Sequence, residues 1–191
     1  MDGNLIEVER KRQLPDDGAE LIGLLVDLGW QAAEPVTEVD TYYSRPDVDF
    51  MVTVECLRVR RRGEFSEITY KPPSNAATHS HEGVISKAET NVVLASAGQS
   101  ALADQLLESI GMRLLVRVEK HRRAYQHPEH PEATVSIDTV ASVGAFVETE
   151  VMSSDAIGAA ELIEQVEKQI DVLDCPTVDL PYRDLAMSVS R

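Results

Sequence analysis

Glu7-Val8-Glu9-Arg10-Lys11 is the stretch on which the fold turns. In an extended chain successive side chains point to opposite faces. Glu7, Glu9 and Lys11 then share one face with Leu5, while Ile6, Val8, Arg10 and Arg12 share the other. An ordinary half-buried strand buries its apolar face and wets its charged one. Taken alone, this strand reads as a solvated surface, where charge pairs are common and contribute about 0–1 kcal/mol each. The same alternation recurs along the chain, however. Arg58 and Arg60 oppose Leu57 and Val59, Thr69 and Lys71 oppose Ile68 and Tyr70, and Lys120 and Arg122 form another pair. Ser136 and Asp138 oppose Val135 and Ile137, Glu148 and Glu150 oppose Val147 and Thr149, and Glu89 shares a face with Asn91 and Val93.

Around these strands the rest of the chain falls into place. Residues 5–12, 36–43, 55–62, 65–71, 84–94, 113–126, 133–140 and 145–152 read as strands, with a hairpin turn at Gly63-Glu64. Leu21, Leu24, Leu25 and Leu28 recur at helical spacing after Pro15-Asp16-Asp17, and Gly29 ends that helix. Ser100 is expected to cap a helix carrying Leu102, Leu106, Leu107 and Ile110, stopped by Gly111. Residues 155–171 read as an acidic helix with Ile157, Leu162, Ile163 and Val166 inward and a solvated outer face. A short last helix is expected over 179–188. Ser44 to Asp49 reads as a loop, and the Pro-, Ser-, Asn- and His-rich residues 72–82 as a mobile one. The expected class is α+β, an antiparallel barrel or curved sheet with helices outside, in a single domain over 1–191.

Helices must pack on apolar surface, and the outward residues of these strands provide it. The charged faces then line the interior of a closed barrel. They bring together the carboxylates Glu7, Glu9, Glu89, Asp138, Glu148 and Glu150 and the cations Lys11, Arg58, Arg60, Lys71, Lys120 and Arg122. Burying an unpaired ion costs several kcal/mol, a cost that a water-filled tunnel with a charged ligand relieves. Arg and Lys match phosphate oxygens. Clustered carboxylates prefer hard cations such as Mg²⁺ or Mn²⁺, which themselves bridge phosphates. Both sets in one cavity point to a metal–polyphosphate complex.

Composition narrows the alternatives. The chain has 191 residues, 43% of them hydrophobic, enough for a real core. With 33 acidic and 18 basic residues its formal net charge is −15, which argues against a broad basic surface for nucleic acid or anionic lipid. There is no apolar run of membrane-spanning length and no signal-peptide pattern at Met1-Asp2-Gly3-Asn4, so a cytoplasmic location is expected. Cys56 and Cys175 have no metal-ligand spacing and read as free thiols. His79 and His81 read as loop residues, having too few neighbouring ligands for zinc. His121 reads as structural or surface, His127 and His130 as turn residues, and Trp30 as core. Of Tyr42 and Tyr43, one could reach the tunnel, and packing is an equal alternative.

Glu7-Val8-Glu9-Arg10-Lys11 resembles the ExExK signature of the CYTH superfamily, the triphosphate tunnel metalloenzymes. Asp40-Thr41-Tyr42-Tyr43, Glu55 to Arg60, Thr69-Tyr70-Lys71, Lys120-His121-Arg122, Ser136-Ile137-Asp138 and Val143 to Glu150 follow in the order of that family. The run from Asp40 through Asp49-Phe50 to Arg60 is similar to its class IV adenylate cyclase branch. The resemblance implies an eight-stranded antiparallel β-tunnel with peripheral helices. It implies metal at Glu7, Glu9, Glu148 and Glu150, with Asp138 and Glu89 as further acidic positions. Lys11, Arg58, Arg60, Lys71, Lys120 and Arg122 are implied to bind triphosphate. Lys11, Glu9 and Glu148 are the implied catalytic groups, with Mg²⁺ or Mn²⁺ as cofactor. Asn91 stands where many members have a second acid, which puts a second metal position in question. The implied reaction is cyclisation of ATP to cyclic AMP and pyrophosphate. The alternative is hydrolysis of inorganic, thiamine or nucleoside triphosphate, and behind both stands a non-enzymatic binder of nucleotide or polyphosphate. A homodimer is what the resemblance suggests for assembly.

Overall fold

The computed structural model describes residues 6–73, 85–87 and 89–189. Strand β1 (Ile6–Gln13) is followed by helix α1 (Ala19–Asp27), a two-residue β2 (Gln31–Ala32) and β3 (Val36–Ser44). One helical turn, α2 (Phe50–Thr53), precedes the hairpin of β4 (Cys56–Arg62) and β5 (Phe65–Lys71). Then come β6 (Ile85–Lys87), β7 (Thr90–Leu94), α3 (Gln99–Ser109), β8 (Arg113–His127), β9 (His130–Val140), β10 (Gly144–Ser153), α4 (Ala156–Gln169) and α5 (Tyr182–Val189).

These strands form one antiparallel sheet in the order β6-β1-β10-β9-β8-β3-β4-β5-β7, with β2 appended to β8. The two ends of that order are neighbours in the chain. β6 pairs with β1 and β7 pairs with β5, so the single segment 85–94 joins the two edges and curls the sheet round. With β6 and β7 counted as one and the two-residue β2 left aside, the described residues make eight strands around a tunnel, the α+β architecture expected. Of the strand read over 84–94, the described residues show two parts, Ile85–Lys87 beside β1 and Thr90–Leu94 beside β5.

The outer face carries the helices. α1 and α4 bury Leu21, Leu25, Ala159, Ile163 and Val166 against Val8, Val135, Ile137, Val147 and Val151, with Trp30 in the same core. α3 buries Ala103 and Leu107 against Tyr43 and Val59. Two sequence expectations need correction here, the Ser100 cap and the inward Ile157. α3 starts after Gly98, and Ser100 lies in its first turn, its hydroxyl donating to the Ala97 carbonyl at 2.8 Å rather than capping. Leu102, Leu106 and Ile110 are exposed, because small Ala103 and Leu107 face the sheet and the others are rotated away around the helix. Ile157 is also exposed. It sits two residues before the buried Ala159, which turns it to the opposite side of α4, in the first turn where the Asp155 cap accepts its N–H at 3.1 Å.

The outer face of β1 is not wholly apolar. Arg10 and Arg12 are buried there and both donate to Glu167 of α4 at 2.9 Å. Glu167 therefore departs from the solvated face expected of that helix. Arg12 also donates to the carbonyls of Leu173 and Cys175, at 3.0 and 2.8 Å. The chain beyond is thereby led along β1, where Gln13 N–H donates to Pro176 and Val178 N–H to Lys11, each at 2.9 Å. β6 pairs only as far as Glu9. The segment 176–178 continues along β1 past that point and delivers α5 to the tunnel. α2 follows directly on the Ser44–Asp49 stretch read as a loop, in residues to which the sequence reading gave no element. Asp49 caps it by accepting the Met51 N–H at 2.9 Å, and Ser44 Oγ accepts the Phe50 N–H at 3.1 Å. The His79 and His81 reading falls outside the described residues.

Candidate active site

Inside the barrel lies a cavity of about 230 Å³. Of the twelve residues singled out from the sequence, eleven line it: Glu7, Glu9, Lys11, Arg58, Arg60, Lys71, Glu89, Lys120, Arg122, Glu148 and Glu150. Asp138 is not among the lining residues and is fully buried behind them. Tyr42 reaches the cavity, whereas Tyr43 points outward and donates to Asp104 at 2.9 Å. Asn91 donates to Glu89 at 3.1 Å.

The bases of β4 and β8 are held from behind by three buried acids. Arg60 makes a two-pronged contact with Asp40, at 2.7 and 2.8 Å, and Arg58 approaches the same carboxylate at 3.7 Å. Lys120 lies 3.2 Å from Glu38 and 3.0 Å from Asp138. Arg122 grips Asp138 through Nε at 2.7 Å and a terminal nitrogen at 2.5 Å. Burial alone would raise the carboxyl pKa values. Arg58 and Arg60 outweigh it at Asp40, and Lys120 and Arg60 outweigh it at Glu38, so both acids sit below their ordinary range. Burial likewise opposes the charge on Arg58 and Arg122, but the acids win and their pKa values rise. These cations are fixed before any ligand arrives.

The opposite wall is different. β1 and β10 are paired so that Glu9 lies directly across from Glu150, and Lys11 across from Glu148. Glu148 contacts Arg122, and against the effect of burial the bases Arg122, Lys120 and Lys11 keep it ionised. Glu9 is raised, by burial first and then by Glu148. Glu150 is pushed up to about 7, by burial and by Glu7 and Glu9. Among the described residues neither Glu9 nor Glu150 has an ion pair. Lys71 bridges the walls, contacting Glu89 and lying 3.5 Å from Glu7, and its pKa is raised by these acids against burial.

The acid wall fits a hard divalent cation. Its donors are all carboxylate oxygens, and burial together with the neighbouring acids, which raise Glu9 and Glu150, disfavours charges that a bound cation would stabilise. Among the described residues no three such side chains converge into a ready-made cage. Mg²⁺ is commonly held by one or two carboxylates, waters and substrate phosphates together, and this wall can supply the first of these.

One mouth of the tunnel is shaped by residues that motif reading missed. Tyr182 and Arg183 of α5 line the cavity, as do Cys56, Glu67 and Asp179. Tyr182 donates to Asp138 at 3.0 Å, packs edge-on against Phe146, and lies under the ammonium groups of Lys11 and Lys120, at 4.4 and 5.1 Å from its ring centroid. Arg183 is buried and donates to the Glu55 carbonyl at 2.6 Å. For Glu38 and Asp40 the signal was present. Glu38, Asp40 and Tyr42 alternate with Val39, Thr41 and Tyr43 just as the tunnel strands do.

The CYTH domain model matches residues 5–179. The chain belongs to the CYTH-domain family. A Methanocaldococcus jannaschii protein provisionally named adenylate cyclase is 28% identical over 170 residues, covering 89% of this chain and 90% of that one. Among solved structures, the Pyrococcus horikoshii protein PH1819 superposes with a TM-score of 0.79 at 24% identity, covering 97% of this chain and 99% of its own. The Hippeastrum protein HpAC1, provisionally an adenylyl cyclase and described as having a dominant triphosphatase activity, gives a TM-score of 0.66 at 15% identity. The match covers 98% of this chain and 97% of that one. These structural likenesses support the tunnel fold. Among the described residues no helix is long and apolar enough to cross a membrane.

Proposed function

We propose that this CYTH-family protein cleaves a triphosphate with a divalent cation, and that the reaction is hydrolysis. The observation that carries the reading is the split of one cavity into a wall of prefixed cations and a wall of mutually repelling carboxylates. Phosphoryl transfer needs positioning and charge neutralisation more than covalent help. Arg58, Arg60, Lys120 and Arg122 would hold the phosphate oxygens, with Lys71 and Lys11 reaching the chain from the other strands. Glu7, Glu9, Glu148 and Glu150 would hold Mg²⁺ or Mn²⁺, which when bound neutralises charge on the phosphates. Lys11, paired across from Glu148, would orient an attacking water. Asp138 acts as the counter-charge that fixes Lys120 and Arg122 rather than as a metal ligand, since its oxygens are taken by Lys120, Arg122 and Tyr182.

Hydrolysis is favoured over cyclisation by size. A cavity of about 230 Å³ falls below the ~300–1,000 Å³ typical of pockets that enclose a drug-sized ligand. It suits a triphosphate chain better than a whole nucleotide. Cyclisation of ATP is the second reading, supported by the name of the M. jannaschii relative and by the class IV-like motif run. The test incubates the protein with Mg²⁺ or Mn²⁺ and, separately, inorganic triphosphate, thiamine triphosphate and ATP. Orthophosphate without cyclic AMP is the expected product. Cyclic AMP with pyrophosphate would replace this reading by the second, and no turnover of any of the three would end both.

A further inference from the structure

The family match stops at residue 179, yet α5, which begins at Tyr182, contributes to the tunnel wall. Tyr182 touches both sides of the site. Its ring lies beneath the ammonium of Lys11 at 4.4 Å, and its hydroxyl donates to Asp138 at 3.0 Å. Asp138 in turn holds Lys120 at 3.0 Å and Arg122 at 2.7 Å. The ring itself is clamped by Phe146, centroids 5.2 Å apart, within the apolar cluster of Tyr42, Val118 and Val140. An ammonium over a tyrosine face is attracted by the ring quadrupole, more strongly where water is thin. Lys11 has a flexible four-carbon stem, and among the described residues no carboxylate forms an ion pair with it. The ring is therefore a fixed surface able to orient it, beside the charge of Glu148 across the strand pair.

We propose that Tyr182 is a positioning residue for the triphosphate reaction: its ring seats Lys11 at the acid wall, and its hydroxyl sets the counter-charge on the phosphate-binding bases. The C-terminal helix thus completes the active site. This rests on the functional reading above. The two contacts separate by substitution. Tyr182→Phe keeps the ring and loses the hydroxyl, so kcat should stay near wild type while KM for triphosphate rises a few-fold. Asp138, short of one donor, then draws Lys120 and Arg122 more tightly. Tyr182→Leu removes the seat, and a misplaced catalytic group can cost about 10–100-fold in rate, here in kcat. Binding of inorganic triphosphate in EDTA should weaken no further than in the Phe variant, and the thermal midpoint serves as the folding control.

A second measurement does not depend on the Leu variant folding. The ε-methylene protons of Lys11, in lysine-labelled protein and assigned through Lys11→Arg, should resonate upfield in wild type and in Tyr182→Phe because they lie over the ring. A Leu variant with wild-type kcat would overturn the proposal. So would a Phe variant that loses as much kcat as the Leu variant, or an unshifted Lys11 resonance. If wild type turns over no triphosphate, the functional reading falls first and takes this inference with it. That failure shows as absent wild-type activity rather than as a difference between variants.

Discussion

The two walls of the tunnel carry similar groups and treat them in opposite ways. On the β3, β4, β8 and β9 side, every base has a buried acid behind it, so Arg58, Arg60, Lys120 and Arg122 are oriented in the empty protein. On the β1 and β10 side, acids face acids, and Glu9 and Glu150 are left in repulsion. Such an arrangement is relieved by uptake of a proton or by a bound cation. One wall is a finished anion-binding surface and the other an unfinished cation-binding one.

The largest effect that separates them should come from Asp40→Ala. Removing one partner from a buried ion pair strands the other charge and costs about 3–5 kcal/mol. Urea unfolding should show a loss of that order, together with weaker triphosphate binding. Next comes the acid wall. Glu148→Ala with Glu150→Ala should lower metal-dependent turnover by about 100-fold or more, the scale on which charge stabilisation in phosphoryl transfer acts. The variant should still bind triphosphate in EDTA. Retained turnover would remove the metal from that wall.

Smaller and opposite in sign is Glu9→Gln. Like charges directly across a strand pair destabilise by about 0.2–1 kcal/mol, so this variant should be slightly more stable than wild type without metal while losing activity. An acid of the base wall cannot behave this way. The pH dependence of stability should divide likewise. Glu150 moves from an ordinary 4.5 to about 7 in the folded protein. Between those values the folded state holds a proton that the unfolded chain has released, so its contribution declines as pH rises through that window in EDTA. Saturating Mg²⁺ should flatten the decline. Asp40 is shifted below its ordinary 3.8, so its contribution is full above that value and is lost as pH falls below it. Stability profiles with and without Mg²⁺ would show whether the two slopes exist.

The sequence displayed the tunnel because strand alternation survives folding. Glu7, Glu9 and Lys11 face inward for the same reason that Val8 faces the helices, and each later strand repeats the rule. Pair-level reading stopped where tertiary contact decides. Asp138 and Glu148 look alike in sequence, each an acid on an inward strand face. Asp138 is turned into a partner for Lys120, Arg122 and Tyr182, while Glu148 stays on the cavity. Tyr182 and Glu167 lie on helices outside any recurring pattern, so nothing local marks them. The exposed Leu102, Leu106 and Ile110 show the same limit, since an apolar helix residue does not say which side the sheet will take.

The division of labour between the walls is tested most directly by a crystal structure of the protein with Mn²⁺ and a slowly hydrolysed triphosphate analogue. The account predicts anomalous density for manganese among Glu7, Glu9, Glu148 and Glu150, with phosphate oxygens on Arg58, Arg60, Lys120 and Arg122. Metal bound away from β1 and β10, or an analogue lying outside the tunnel, would contradict it.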